Sequence, residues 1–264
     1  MRLATTLPLL AAAGLFAAEG YSDTPVIPGQ KWKVHDIDRP QPPRAPREQL
    51  KCVTTPAPSG AIVLFDGKDA AAEWEPDAAP TKKVPNPVVW DVQDGTMIAR
   101  SNSIRTKRSF GSVHLHAEWR SAKGYDQDPN RKSQGNSNSG IFFQKTYELQ
   151  VLDCWKTETY ADGMTAAVYG QHTPLFNACL PSREWNSYDI DFTAPRFKAD
   201  GSLESPARIT VVMNGVKVQD GTEYIGPSTH RKVLPYKAHA DRLPIGLQWH
   251  GDPVEFRNIW VVEK

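Results

Sequence analysis

From residue 61 onward the chain is a succession of short apolar runs separated by turn residues, the texture of many short strands. Ala61–Phe65 reads as a strand ended by Asp66-Gly67. Val88–Val92 and Thr96–Ala99 read as strands joined through Asp94-Gly95, a dipeptide suited to a tight hairpin. Ser112–Arg120 alternates, with Val113, Leu115, Ala117 and Trp119 on one face and His114, His116, Glu118 and Arg120 on the other. The pattern continues through Gly140–Phe143, Thr146–Leu152, Asn186–Phe192, Ala207–Met213 and Val216–Gln219, the last two joined by Asn214-Gly215, and closes with Ile245–Trp249 and Phe256–Val262. No stretch carries a helical period for more than about three turns. This is an all-β sandwich or barrel, one domain over 61–264 without internal repeats. Residues 21–60 are rich in proline and charge, offer no apolar period, and read as an extended arm or linker.

Composition adds an address. Residues 1–20 carry one early cation, Arg2, then an apolar run from Leu7 to Ala18 ending in small residues. That is the pattern of a signal peptide, too short to be an integral membrane segment, with cleavage expected between Ala17 and Gly20 and a periplasmic or secreted product. Export permits disulfides. Of the three cysteines, Cys154 and Cys179 flank one long loop and are the favoured pair, leaving Cys52 over, although a bridge from Cys52 to either stays open. A net charge of +1 gives no electrostatic case for nucleic acid. Eight Trp and eight Tyr suit stacking on sugars and equally suit a sandwich core.

Three segments carry candidate chemistry. In Tyr147-Glu148-Leu149-Gln150-Val151-Leu152-Asp153, Glu148 and Gln150 share a strand face, and Asp153 joins them only if the strand bulges or ends near Leu152. An acid and an amide on one face suit sugar hydroxyls; a solvated sheet face is the plain alternative. Asn138 precedes this strand pair, and Tyr169-Gly170-Gln171-His172 returns to it through a polar loop. His172 is a candidate base, although a lone histidine is more often packed or solvated. In the third segment Gln248 and His250 alternate with Leu247 and Trp249. Beyond the Gly251-Asp252-Pro253 turn, Glu255 and Arg257 share a face, as a substrate contact or an ion pair with each other. His114, His116 and Glu118 have a spacing that could bind metal and read as a polar strand surface. The sequence holds neither a zinc-protease His motif nor a Gly-x-Ser-x-Gly nucleophile turn.

The ordered set Leu64-Phe65-Asp66-Gly67-Lys68 with Trp74, Trp90-Asp91-Val92-Gln93-Asp94-Gly95, Asn138-Ser139-Gly140-Ile141, Tyr147 to Asp153, Tyr169-Gly170-Gln171, Glu184-Trp185-Asn186, Asn214-Gly215-Val216, and Gly246-Leu247-Gln248 through Asn258-Ile259 resembles the 3-keto-disaccharide hydrolase family. The resemblance covers about residues 61–264. It implies a two-sheet antiparallel jelly-roll sandwich, concanavalin A-like or laminarinase-like, that cleaves glycosides already oxidised at C3. A C3 ketone acidifies the C2 hydrogen, so a base can form an enediolate and expel the C1 oxygen by β-elimination, with net hydrolysis if water adds afterwards. On this footing Glu148, Asp153, His172 and His250 are the catalytic candidates. Asn138, Gln150, Tyr169, Gln171, Gln248 and Arg257 would hold an oligosaccharide or glycoside substrate, and Glu148 with Asp153 would hold a divalent metal ion (Ca, Mn or Zn). The long 154–180, 195–206 and 221–242 segments depart from the family pattern and would reshape the pocket. Two alternatives stand beside this reading. One is a non-catalytic, lectin-like carbohydrate-binding domain. The other is a laminarinase-type glycosidase, whose E-x-D-x-x-E strand the spacing of Glu148, Gln150 and Asp153 loosely echoes.

Overall fold

A computed structural model describes residues 19–121, 133–156 and 158–264. The expected leader falls largely on residues 1–18, outside the described residues.

The alternating runs become strands. In chain order they are β1 (Ile62–Phe65), β2 (Trp74–Pro76), β3 (Asp91–Gln93), β4 (Thr96–Ile98), β5 (Ile104–Phe110), β6 (Val113–Arg120), β7 (Ser139–Phe143) and β8 (Tyr147–Val151). They continue with β9 (Asn186–Thr193), β10 (Arg196–Phe197), β11 (Leu203–Ser205), β12 (Arg208–Met213), β13 (Val216–Glu223), β14 (Leu243–Leu247) and β15 (Glu255–Glu263). One sheet runs β13-β12-β9-β6-β15-β4-β3 with β1 also on β15, and a second runs β2-β5-β14-β7-β8. Every strand pairing is antiparallel. β10 and β11 form a separate hairpin inside the 195–206 segment. The fold is thus an all-β antiparallel sandwich.

The core lies between the sheets, built by the apolar half of each alternation. Val113, Leu115, Ala117 and Trp119 of β6 are buried with Tyr188, Ile190 and Phe192 of β9. Ile141 and Phe143 of β7 and Tyr147, Leu149 and Val151 of β8 are buried on the opposing sheet. Phe143 and Phe192 stack across the gap with ring centroids 4.4 Å apart. β7 and β8 are joined by the three residues Gln144 to Thr146, in a turn whose central Gln144 and Lys145 both have positive φ, 51° and 59°. Such a turn ordinarily uses Asn or Gly. Here tertiary anchors hold it, because Gln144 donates to the carbonyl of Asp241 and Lys145 pairs with Asp77 at 2.7 Å.

The 21–60 stretch has little regular structure and is not a free linker; it lies on the sandwich as two straps. It shows no apolar period because single residues, Ile27, Val34 and Leu50, anchor it while backbone hydrogen bonds do the rest. The second strap crosses the outer face of the larger sheet. The Val53 amide donates to Ser187 Oγ, and the Thr55 carbonyl accepts from Asn258 and Trp260. Under this cover the polar half of β6 is not a solvated surface. His116 and Glu118 are fully buried, with Glu118 taking hydrogen bonds from Arg257 Nε (2.7 Å) and Asn258 Nδ2 (2.9 Å). His116 sits 2.8 Å from Asp189. Cys52, Cys154 and Cys179 are free thiols, so the expected Cys154–Cys179 bridge is not formed. Burial pushes Cys154 up to about 12 and Cys52 up to about 11, which makes both poor nucleophiles.

Burial alone would raise the Glu118 carboxyl, but the hydrogen bonds from His116, Asn258 and Arg257 outweigh it and hold it at about 2. A carboxylate with a depressed folded-state value stabilises the fold fully above its unfolded value and loses that contribution as pH falls toward the folded one. Glu118→Gln should therefore lower unfolding free energy by about 3 kcal/mol near neutrality, with the gap from wild type closing between about pH 4.5 and pH 2. Urea melts of both proteins across that range check it; a gap independent of pH would contradict it.

Candidate active site

β8 is the edge of the smaller sheet, and its alternation sends Glu148 and Gln150 away from the core. In register, Phe142 of β7 faces Glu148 and Gly140 faces Gln150. The open edge of β8 is sealed by the returning loop, where Gln150 N donates to Ala167 O and Ala166 N to Gln150 O. Together these elements wall a cavity of about 980 Å³.

Glu148, Gln150, Asn138, Tyr169, Gln248 and His250, all expected at the site, line this one cavity. Glu148 is 5 % exposed, and burial pushes its carboxyl up to about 8. Gly140 makes its seat: a Cβ there would lie 2.4 Å from Glu148 Oε1. Beside it the amides form a row. Gln150 Nε2 donates to Gln134 Oε1 at 2.9 Å, and Asn138 Nδ2 donates to the Gln134 carbonyl at 2.8 Å. Gln150 Oε1 is buried with no hydrogen-bond partner, an acceptor ready for a hydroxyl of a bound molecule. The Gln248 backbone is fixed by β7, its N–H donating to Gly140 O and its carbonyl accepting from Ser139 Oγ.

The other four expected residues lie elsewhere. Asp153 falls beyond the strand end, and its carboxylate takes the Trp155 amide at 3.1 Å. His172 closes the 168–172 turn and faces the arm, with Nδ1 3.3 Å from Gln30 Nε2. Gln171 grips another loop, donating to Gly226 O and accepting from Ile225 N, and so steadies the 228–230 segment. Arg257 lies on the outer face of the larger sheet, paired with Glu118 and over the Trp185 ring at 4.0 Å; Glu255 pairs instead with Arg120. Asp153 does not line the cavity that Glu148 lines. Among the described residues no three His, Cys, Asp or Glu side chains group to hold an ion. Glu148 and the unpartnered Gln150 Oε1 are the oxygen ligands this cavity would offer a divalent cation, short of a full set among the described residues.

Several lining residues were not expected: Gln134, Tyr160, Ser228, Thr229 and His230, and from the arm Glu19, Gly20, Tyr21 and Ile37. They sit in irregular segments, where no alternation marks a face. For Tyr160 and the 228–230 residues the sequence signal is the extra length of the 154–180 and 221–242 segments. His230 is the most consequential. It is exposed at the cavity mouth, its Nδ1 lies 3.2 Å from the Tyr169 hydroxyl, and that hydroxyl lies 3.0 Å from Tyr160 Oη. Partial burial, then the nearby His35, Arg231 and His250, lower the His230 imidazole below its ordinary value.

Residues 60–262 match the 3-keto-alpha-glucoside-1,2-lyase-like domain. The chain belongs to this family. A solved structure from Parabacteroides distasonis ATCC 8503, of a protein assigned provisionally as a glycosyl hydrolase, is 38 % identical, covering 89 % of this chain and 99 % of that one with a TM-score of 0.70. A second structure from the same organism, with the same provisional assignment, is 22 % identical over 78 % of this chain and 94 % of that one. Its TM-score is 0.52, a likeness of fold alone. No curated protein matches the chain.

The seat of Glu148 is directly testable without a substrate. Carboxyl carbon NMR should show Glu148 titrating near 8. In Gly140→Ala the added methyl should push the carboxyl into the wet cavity and drop its midpoint toward the ordinary range of about 4. A midpoint that stays near 8 in the variant would refute the assigned seat.

Proposed function

We propose that this chain is an exported carbohydrate-active enzyme that cleaves 3-keto-glycosides by removing the C2 proton and eliminating the C1 oxygen. The observation that carries the reading is the opposed pair of proton-transfer groups on one polar cavity. Glu148 is held protonated by burial, and His230 is held neutral at the mouth. Groups whose surroundings push their titrations apart divide naturally into acid and base. Glu148 is both a catalytic and a metal-ligand candidate on sequence, and its buried seat favours the role of proton donor.

In this scheme His230 donates its Nδ1 hydrogen to Tyr169 Oη, and Tyr169 donates to Tyr160, leaving His230 Nε2 as a lone pair toward the cavity. That nitrogen takes the C2 proton, and the C–H electron pair becomes the enediolate with charge on the C3 oxygen. Gln248 and His250, which line the wall, serve in this scheme as the donors to that oxygen. The enediolate collapses to a C1–C2 double bond, the C1–O bond breaks, and Glu148 protonates the departing oxygen. Water adding across the double bond turns the elimination into net hydrolysis. Solvent carries the proton from His230 back to Glu148.

An ordinary glycosidase needs two carboxyl groups flanking the bond. Among the described residues Glu148 is the only buried carboxyl on the wall, and Glu19 is exposed at the rim. A lectin-like site would present tryptophan faces, yet no described tryptophan lines the cavity. Among the described residues no helix is long and apolar enough to cross a membrane. The leader-like residues 1–20 are the support for export.

Purified protein should release aglycone from a 3-keto glucoside and leave the unoxidised parent intact, with or without chelator. Release from both sugars, or from neither, would sink the proposal, and loss with chelator would return a metal to the mechanism. The rate should rise as His230 loses its proton below its usual range and fall again near pH 8 as Glu148 ionises. Glu148→Gln should lower kcat by about 100-fold or more and abolish the alkaline limb. A rate that instead climbs through pH 8 would make Glu148 the base.

A further inference from the structure

The family-matched segment begins at residue 60, yet part of the cavity wall comes from residues 19–37. At the centre of that contribution is His35, which does not itself line the cavity. It is fully buried and has φ of 55°, a left-handed conformation unusual for any residue but glycine. Such a conformation persists only where the surroundings over-determine it. Here Asp162, also fully buried, grips His35 at two points. Oδ2 accepts from the His35 amide at 2.9 Å, and Oδ1 lies 3.1 Å from ring Nδ1. A carboxylate oxygen only accepts, so Nδ1 carries the hydrogen and Nε2 points away from Asp162. That Nε2 is buried with no hydrogen-bond partner. Arg39, 3.9 Å from the far oxygen of Asp162, also ties the arm to the Gln171 carbonyl.

The His35 ring lies against all three members of the hydrogen-bonded row at the cavity mouth. Ring centroids are 3.9 Å away for Tyr160, 4.9 Å for Tyr169 and 5.2 Å for His230. Two glycines make the approach possible. A Cβ at Gly170, whose φ is 72°, would lie 3.0 Å from the Thr229 carbonyl and 3.4 Å from His35 Cε1. A Cβ at Gly20 would lie 2.7 Å from Ile37 Cα and 2.9 Å from the His35 carbonyl.

We propose that Asp162 and His35 form a positioning dyad that sets the orientation and tautomer of the Tyr160–Tyr169–His230 row, so that an arm lying before the family-matched segment completes the site. The proposal rests on the reading of His230 as the base. Asp162 fixes the His35 ring, and that ring is the template on which the two tyrosines and His230 lie. The Nδ1 hydrogen of His230 is thereby kept on Tyr169, and its Nε2 lone pair on the cavity. Besides His35, the charged or titratable groups facing His230 are Tyr169, Arg231, His250 and, edge-on, Tyr21. Those facing His35 are Asp162, Tyr21 and the row itself.

The test reads His230 directly in the ligand-free, full-length protein by long-range nitrogen–proton NMR of imidazole rings. Wild type should show His230 as a single Nδ1-protonated tautomer. His35→Gln and the isosteric Asp162→Asn should each convert it to a mixture, shift the acid limb of the cleavage profile, and lower kcat about 10-fold with KM within about 2-fold. Two variants are used so that Asp162→Asn answers if His35→Gln does not fold. A folded variant with an unchanged His230 tautomer and acid limb overturns the proposal, even if kcat falls, because that is the result of a merely structural role. A wild-type His230 protonated on Nε2 overturns it as well. Failure of the 3-keto reading is separately visible, as a wild type that cleaves no 3-keto glycoside while its histidine spectra stay readable.

Discussion

A carboxyl group buried with no charged side chain paired to it among the described residues is the constraint around which this site is built. Burial is the one cause of the upward shift at Glu148, so its proton is retained by dryness rather than by a partner. Keeping it dry takes the whole local architecture. Gly140 vacates the volume that Glu148 Oε1 occupies, and Phe142 faces Glu148 across the strand pair. The 166–169 segment seals the strand edge, and Ser228 caps the Glu148 amide at 3.0 Å. Gln171, which does not line the main cavity, secures the loop that brings Ser228 and His230 to its wall.

The protein holds a second buried glutamate, and the contrast shows that burial alone does not decide chemistry. Glu118 is no more exposed than Glu148, yet it receives Arg257, Asn258 and His116 and stays ionised far below neutrality. It fastens the strap at residues 50–58 and the outer face of the larger sheet. Among the described residues Glu148 receives no such donors, and burial favours its protonated form. Full pairing makes one glutamate a structural fixture, and the lack of pairing leaves the other free for proton transfer.

Alternation made the sandwich legible. Strands such as β6 and β8 show the two-residue period plainly, and the same period placed Glu148 with Gln150 and Gln248 with His250 on faces turned from the core. Legibility stopped where the period stopped. Asp153 lies beyond the strand end and turns to a backbone amide. Arg257 alternates correctly, but onto the outer face of the other sheet, which only the strand order reveals. His230, Tyr160 and the arm residues lie in irregular segments, where which side chain meets which is settled by distant contacts such as Asp162 with His35. The arm looked like a linker because its anchors are single residues with no repeat. Residue-type patterns report local geometry, and this cavity is closed by contacts far apart in sequence.

The proposed elimination turns on one hydrogen, the one at C2 of the sugar. With a 3-keto glucoside carrying deuterium at C2, turnover should proceed with a primary isotope effect, and mass spectrometry should find the label gone from the sugar product, beyond the loss in an enzyme-free control. Full retention of the C2 deuterium in a cleaved product would mean that the bond breaks without proton abstraction, and would contradict the assignment of Glu148 and His230 as the acid and base of an elimination.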